Sequence, residues 1–433
     1  VNTWEAAYLA WNQGALLPSL DPAWKGRDNR IFRYTLNQAY VNSNPYGGSY
    51  SAAQKQRLGL YQFIRDVLGI PAPLVELYVG EVYGGTIDLH TLEHGAIPVE
   101  TDHEPLRQQL IQLYLNSNWQ AHKSLFVRFG AMFGDVAVKV VDDRVNQQVY
   151  LEVLHPARIH TIERDSKGDI TYARIEYERG EVNPATGNVE ATYIYREDIT
   201  PTEFRTYKDD RPFAYFSDAI GRPVDNWHND YGFVPLEVVQ HRDIGLEWGI
   251  SCFHHALRQI DEVNDAWSLL NDNVRKAVNI IWAFKARKTD IEITMSARDQ
   301  VPVVYMGPEA QDPFAMVPNI DITAAGQNIL NMMDGLMRAI PEYALHQVRD
   351  KGQMTAPGIR AGWSDAIDRI VESRGNYDAG MVKLNKMGVF IGAMMRYPGF
   401  EDGPRYTSLD DEALEHQIAE RPVIEDQLSE KEQ

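Results

Sequence analysis

The side chains of this sequence best suited to chemistry are a lone thiol, Cys252, an imidazole pair, His254–His255, and two carboxylate pairs, Asp142–Asp143 and Asp209–Asp210. A thiolate is a nucleophile; imidazoles and carboxylates bind metals or exchange protons. The spacing argues against each role. Cys252 is the only cysteine, so it can form neither an intramolecular disulfide nor a cysteine-rich zinc site, and beside Phe253 in a helical stretch it reads as core. Neighbouring residues on a helix point about 100° apart, so His254 and His255 cannot act as an i, i+4 metal pair. The aspartate pairs fall in or near turns, where carboxylates commonly cap backbone amides. No metal site or cofactor is expected.

Longer motifs are absent as well. The sequence has no Gly-x-x-x-x-Gly-Lys-Ser/Thr loop to cradle a nucleotide, no Gly-x-Gly-x-x-Gly after a strand, no His-Glu-x-x-His and no Gly-x-Ser-x-Gly. The expectation is a protein that is not an enzyme, with neither ATPase nor nuclease activity. What stands out is charge. The 433 residues carry a formal charge of −19. A protein that grips nucleic acid over a large surface is usually basic. An acidic wall, in contrast, lets a polyanion slide, because each phosphate contact to Lys or Arg slows release. One stretch runs against the acidity: His346 to Arg360 holds three basic residues (Arg349, Lys351, Arg360) and one acid (Asp350). Lys285, Arg287, Lys288 and Arg298 form a second basic group.

The elements that must position these residues fall into three regions, as expected for a chain of several modules. Residues 1 to about 135 read as helical. Ser43–Ser49 is a loop by its Pro/Gly/Ser content, Leu58, Tyr61, Ile64 and Leu68 mark one helix face, and Leu106 to Met132 reads as one helical block. Pro71 and Pro73 interrupt the pattern, which resumes at Leu74 and ends at Gly84–Gly85. Residues 136–245 are β-rich. Short strands with turns at Asp165–Asp169 and Asn183–Asn188 predict an antiparallel sheet. Ile260, Val263, Trp267, Leu270, Val274, Val278 and Ile281 then recur every three or four residues, the stripe of a long amphipathic helix. A Pro-rich segment with short β-like runs (Ile291–Thr294, Val301–Met306) follows. A second helix carries Ala325, Ile329, Met332, Leu336 and Ile340 on one face and ends at Pro341. His346–Gly358 reads as a loop and about Arg360 to Arg396 as a third long helix. From Glu401 there are eleven acidic and three basic residues, which suit either a frayed acidic end or, the reading preferred, a short amphipathic helix through Leu409, Leu414 and Ile418 up to about residue 420. No apolar run approaches the ~18 residues of a membrane span, the opening Val1-Asn2-Thr3-Trp4-Glu5 shows no secretory signal, and the lone cysteine fits a reducing compartment.

In this order the elements resemble the portal proteins of tailed bacteriophages, the head-to-tail connectors. Several local matches carry the resemblance. Tyr61–Asp66 followed by Leu74–Gly84 looks like the family's wing segment, where a helix leads into an apolar run ending in Tyr-Gly. Asn229-Asp230-Tyr231-Gly232-Phe233-Val234-Pro235 and the run Leu236–Val239 are similar to the strand that closes the wing sheet. Asp261-Glu262-Val263-Asn264 sits where an Asp/Glu-x-x-Asn opens the first stem helix. Met337–Tyr343 resembles the end of the second. The likeness covers roughly residues 55–395; the first fifty residues match nothing in it, and the short region after Gly399 leaves little room for a crown.

The resemblance implies an α+β portal fold: helical wing, antiparallel β-sheet in the wing, two-helix stem, small α/β clip and long C-terminal helix. It places the wing at 1–250 (helical 1–135, β-rich 136–245), the first stem helix at 251–281, the clip at 282–321, the second stem helix at 322–345, the tunnel loop at 346–358, the long wing helix at 359–398 and a short acidic crown or tail at 399–433. It implies a homo-oligomeric ring of about twelve subunits at one capsid vertex of the virion, assembled in the host cytoplasm. Double-stranded DNA passes through the ring, and terminase, capsid or scaffold proteins and head-completion adaptors dock on it. Arg349, Lys351, Gln353, Met354 and Thr355 would be the tunnel-loop residues facing DNA. Lys285, Arg287, Lys288 and Arg298 of the clip would face DNA or a docking partner. A solvated loop suits the same charges, and another oligomeric virion protein, or an enzyme without a short motif, would also lack motifs. An enzyme would need a pocket of converging polar groups, which no spacing in the sequence suggests, and a head-shell or other structural protein should lack two stem-length helices around a Pro-rich insert.

Overall fold

The computed structural model describes residues 27–48, 67–182, 189–278, 281–285, 303–306, 314–316, 322–343, 364–401, 403–421 and 423. In chain order the helices are α1 (Arg27–Val41), α2 (Pro71–Tyr83), α3 (Glu104–Asn116), α4 (Trp119–Phe133), α5 (Leu257–Val278), α6 (Ile322–Ala339) and α7 (Ser364–Met395), with a single helical turn at Pro45–Gly48. The strands of the first half are β1 (Val99–Glu100), β2 (Asp135–Asp143), β3 (Gln148–Leu154), β4 (Ile159–Arg164), β5 (Ile170–Val182), β6 (Val189–Ile199), β7 (Glu203–Lys208) and β8 (Arg211–Pro212). Those of the second are β9 (Tyr215–Ser217), β10 (Arg222–Val224), β11 (Asn226–His228), β12 (Leu236–Gln240), β13 (Ile281–Lys285), β14 (Val303–Met306), β15 (Phe314–Met316) and β16 (Gln417–Ile418). The protein is therefore of mixed α+β class, with several antiparallel sheets. Among the described residues, no helix is long and apolar enough to cross a membrane.

The chain divides into two units. One gathers the described residues of 1–42, 70–254 and 341–433; the other those of 43–69 and 255–340. The larger unit is built on β12-β2-β3, an antiparallel sheet in which Val136 faces Val239 and Val138 faces Val153. Helices α3, α4 and α7 pack on it and α2 packs on α4 and α7. Tyr83, Phe126 and Tyr377 interlock where α2, α4 and α7 meet, the last two edge-to-face with centroids 5.3 Å apart. Gly130 makes room for this packing, since a Cβ there would lie 2.0 Å from the Tyr377 hydroxyl oxygen. Tyr377 also donates to the carbonyl of Val127 and hydrogen-bonds the buried ring of His241 at 3.0 Å.

Several expectations need correction. The block from Leu106 to Met132 is two helices. Ser117 turns its hydroxyl onto the Leu113 carbonyl, and Asn118 takes the left-handed conformation (φ 47°), which ends α3 before α4 begins. Ser43–Ser49 holds the helical turn Pro45–Gly48. Pro71 and Pro73 lie in the first turn of α2, where a missing N–H costs nothing. The strands of 136–245 form two main sheets instead of one. Pro156 starts a 3₁₀ turn (Pro156–Arg158) that redirects the chain after β3, and β4 joins the separate order β11-β7-β6-β5-β4, with β8 on β7. Asn229–Pro235 is not strand; only Leu236–Gln240 is, and it edges the three-stranded sheet.

The acidic tail is not an amphipathic helix. A 3₁₀ turn (Glu412–Leu414) leads into β16, which pairs antiparallel with β1. Specific docking outweighs helix propensity there. Arg421 donates to both Asp378 oxygens, at 2.8 and 2.7 Å, and to the Ala96 carbonyl, while Leu414 and His416 are buried. The predicted helix face at Leu58–Leu68, the Asn183–Asn188 turn and the run Ile291–Thr294 lie wholly or largely outside the described residues.

Candidate functional site

The smaller unit holds the helix pair that the spacing of apolar residues singled out. α5 buries Leu257, Ile260, Asp261, Val263, Asn264 and Ser268. The two polar members of the Asp-x-x-Asn motif lie three apart on one face. Both reach Tyr46: its hydroxyl donates to Asp261, and the Asn264 amide donates to that hydroxyl at 3.2 Å. The Asn264 carbonyl oxygen also accepts from the Leu68 N–H at 2.8 Å. Buried polar groups are therefore satisfied at the helix start, where unpaired they would each cost about 1–3 kcal/mol. The spacing of the motif is local and legible, but its partner is not, because Tyr46 stands in a Pro/Gly-rich stretch that reads as loop.

α6 packs along α5, and His255 donates through Nε2 to the Ala339 carbonyl at 2.8 Å. That bond joins the start of α5 to the end of α6, so the helices run antiparallel. The expected α6 stripe is present: Ile329, Leu336 and Ile340 are buried, and Ala325 and Met332 half-buried. The α5 stripe is shorter than expected. Ile260 and Val263 are buried, but Trp267 is 37% exposed, Leu270 and Val274 are half-buried, and Ile281 belongs to β13. Leu269, Ile322 and Leu330 are exposed too, Leu330 by 54%. A polar stripe, Gln327, Asn331, Asp334 and Arg338, runs along α6; it is exposed and sums to zero charge. Gln327 donates to Asn331 at 3.3 Å within it.

Between the helices the chain forms a small sheet of order β14-β13-β15, with β13 parallel to β14 and antiparallel to β15. Lys285 is the last residue of β13, in register with Met306. Arg287, Lys288 and Arg298 lie outside the described residues, as do Arg349, Lys351, Gln353, Met354 and Thr355.

The residues first considered for chemistry occupy structural positions. Cys252 is fully buried, and burial pushes its thiol well above the usual range. His254 begins a 3₁₀ turn, not an α-helix. Asp142 and Asp143 end β2, beside the β2–β3 turn, as expected. Asp142 accepts from Tyr231 at 2.6 Å, from Tyr397 and from Arg144. Asp143 caps the β2–β3 turn; burial opposes its ionisation, but donors from Asn146 and Gln148 outweigh that and hold its carboxyl below the usual range. Asp209 and Asp210, at φ 49° and 62°, form the two-residue β7–β8 turn, and Asp209 accepts from the Ile194 N–H of the neighbouring strand β6. Among the described residues no three His, Cys, Asp or Glu side chains gather as metal ligands.

Compared with protein-family models and with curated proteins, the sequence matches none.

Proposed function

We propose that this chain is one subunit of the portal ring of a tailed bacteriophage, a channel at one capsid vertex through which double-stranded DNA is packaged and ejected. The observation that carries the reading is the antiparallel pair α5–α6 around a small β-sheet, with apolar side chains left outward on both helices. Fully burying a Leu or Trp contributes about 1.5–3 kcal/mol, so Trp267, Leu269 and Leu330 favour packing against copies of the same pair around an axis. The neutral, amide-rich stripe of α6 then suits a channel wall. It offers a polyanion neither an anchor nor a net cation.

On this reading the protein works by geometry and electrostatics, without catalysis or cofactor. The overall charge of −19 keeps DNA from adhering. Arg349 and Lys351 of the tunnel loop make few, salt-screened phosphate contacts that guide the duplex. The clip, with Lys285, Arg287, Lys288 and Arg298, serves terminase and head-completion adaptors, and the larger unit meets capsid or scaffold proteins. The test is the double variant Arg349→Ala/Lys351→Ala in reconstituted heads. The expected result is altered packaged DNA length or retention with ring assembly intact. Unchanged packaging would remove the loop from the conduit, and loss of assembly would place these residues at a subunit interface.

A further inference from the structure

A pocket of about 150 Å³ lies in the larger unit between β2 and the six-stranded sheet. Strand register builds its wall. Glu197 stands opposite Thr206, and Phe204 opposite Trp227, so these side chains share one face. Phe204 and Trp227 stack with ring centroids 5.0 Å apart and planes within 6°. Small-molecule sites usually run to about 300–1,000 Å³. The pocket is of a size to take the head of a side chain.

Its charges are unequally satisfied. Lys139 donates to both oxygens of Glu197, at 2.7 and 2.8 Å, which neutralises the floor. Asp142 already holds two tyrosine hydroxyls and Arg144. Asp218 differs. Its backbone is fixed, because its carbonyl accepts from the Arg144 N–H at 3.1 Å and the turn closes through Gly221 N–H to Ser217 at 2.7 Å. No described group donates to its carboxylate. Burial, and then the Asp143 carboxylate, push its carboxyl up, with Lys139 opposing. The pocket thus offers one exposed carboxylate without a hydrogen-bond donor among the described residues, beside aromatic rings.

We propose that this pocket receives the guanidinium of an arginine presented by a partner polypeptide, with Asp218 as its counter-ion and the aromatic walls as its stacking surface. A guanidinium is planar, pairs with a carboxylate through two parallel bonds and stacks on aromatic faces. The rim identifies the source. Phe216, which lines the pocket, is 58% exposed, and Val145, outside the lining but against Gly221 of the adjoining turn, is 55% exposed. Exposed apolar side chains beside a charged socket are what the residues flanking an arginine would cover. A free diamine or guanidine would leave it bare. No residue of α5 or α6 takes part, so this inference stands apart from the portal reading.

The probes are acetyl-Leu-Arg-Leu-amide, its citrulline counterpart of the same shape without charge, and agmatine as the free guanidine. Each is titrated into the full chain while tryptophan fluorescence is read, with Trp227→Phe identifying the signal from the pocket. The arginine peptide is expected to saturate with a Kd on the order of 1 mM. The citrulline peptide should bind at least about ten-fold more weakly, and Asp218→Asn should weaken the arginine peptide by about the same factor. Phe216→Ala should weaken the peptide but leave agmatine unchanged. Asp218 and Phe216 are exposed, and equal melting temperatures would confirm that both variants fold. Equal binding of the citrulline peptide, undiminished binding by Asp218→Asn, or no saturation overturns the proposal. Agmatine binding as tightly as the peptide overturns the polypeptide source.

Discussion

Helices α7 and α6 show two ways for a helix to be specified. α7 buries 16 of its 32 residues, including the polar Ser373, Arg374 and Asn385, and meets strands or helices on several sides. α6 buries only Ile329 and Leu336 of its 18. Both carry enough apolar side chains to need cover. α7 finds its cover within its own chain, whereas α6 leaves Ile322 and Leu330 in water. An element with this little intrachain burial draws definition from elsewhere, and the proposed ring is where α6 would find it.

The sharpest way to break this contrast is truncation on each helix. Tyr377→Ala empties a fully buried site and should cost about 3–5 kcal/mol in denaturant unfolding. Leu330→Ala should change the stability of the isolated subunit by less than about 0.5 kcal/mol. Similar losses at both positions would mean that α6 is already packed in the lone chain.

A second test sharpens the account of the larger unit. Burial pushes the Asp135 carboxyl up to about 6, although the Tyr34 hydroxyl, the Gly249 N–H, Arg33 and Arg30 all favour its charge. Between about pH 4 and 6 the folded state holds a proton that the unfolded chain has released. Asp135 therefore contributes most at or below pH 4, and its contribution falls as pH rises through 6. Relative to Asp135→Asn, the wild type should lose about 2–3 kcal/mol between pH 4 and 7. His241, lowered to about 3 by burial, changes in the opposite direction but is present in both proteins and cancels in the comparison. Parallel pH profiles would show that Asp135 is solvated.

The smallest effect belongs to the surface. Asp210 pairs with Arg196 at 3.2 Å while its side chain is 83% exposed. Asp210→Ala should shift stability by no more than about 0.5 kcal/mol, and a larger loss would mean that the β7–β8 turn depends on that carboxylate.

What could be read ahead of the structure follows from the range of the interactions involved. The α6 stripe, α7, the β5–β6 pairing and the Asp209–Asp210 turn depend on neighbours a few residues away, and all were legible. The break at Asn118 was hidden because Ser117 receives the Leu151 N–H at 2.9 Å from a strand far along the chain. The division of the sheet hinged on Pro156, which looked like one more turn residue. The tail looked helical by composition because the Arg421–Asp378 pair spans 43 residues. At the candidate site, the Asp261–Asn264 spacing was visible but Tyr46 was not. The pocket at Asp218 gave no sign in the sequence, since its walls come from strands paired only in three dimensions.

Self-assembly through the helix pair is the central proposal, and native mass measurement of the purified protein tests it most directly. The wild type should run as a closed ring of about twelve subunits. Leu330→Glu, which sets a charge on the outward face of α6, should yield monomers with an unchanged melting temperature. A wild-type protein that stays monomeric at micromolar concentration, or a Leu330→Glu variant that still forms the full ring, would contradict the account.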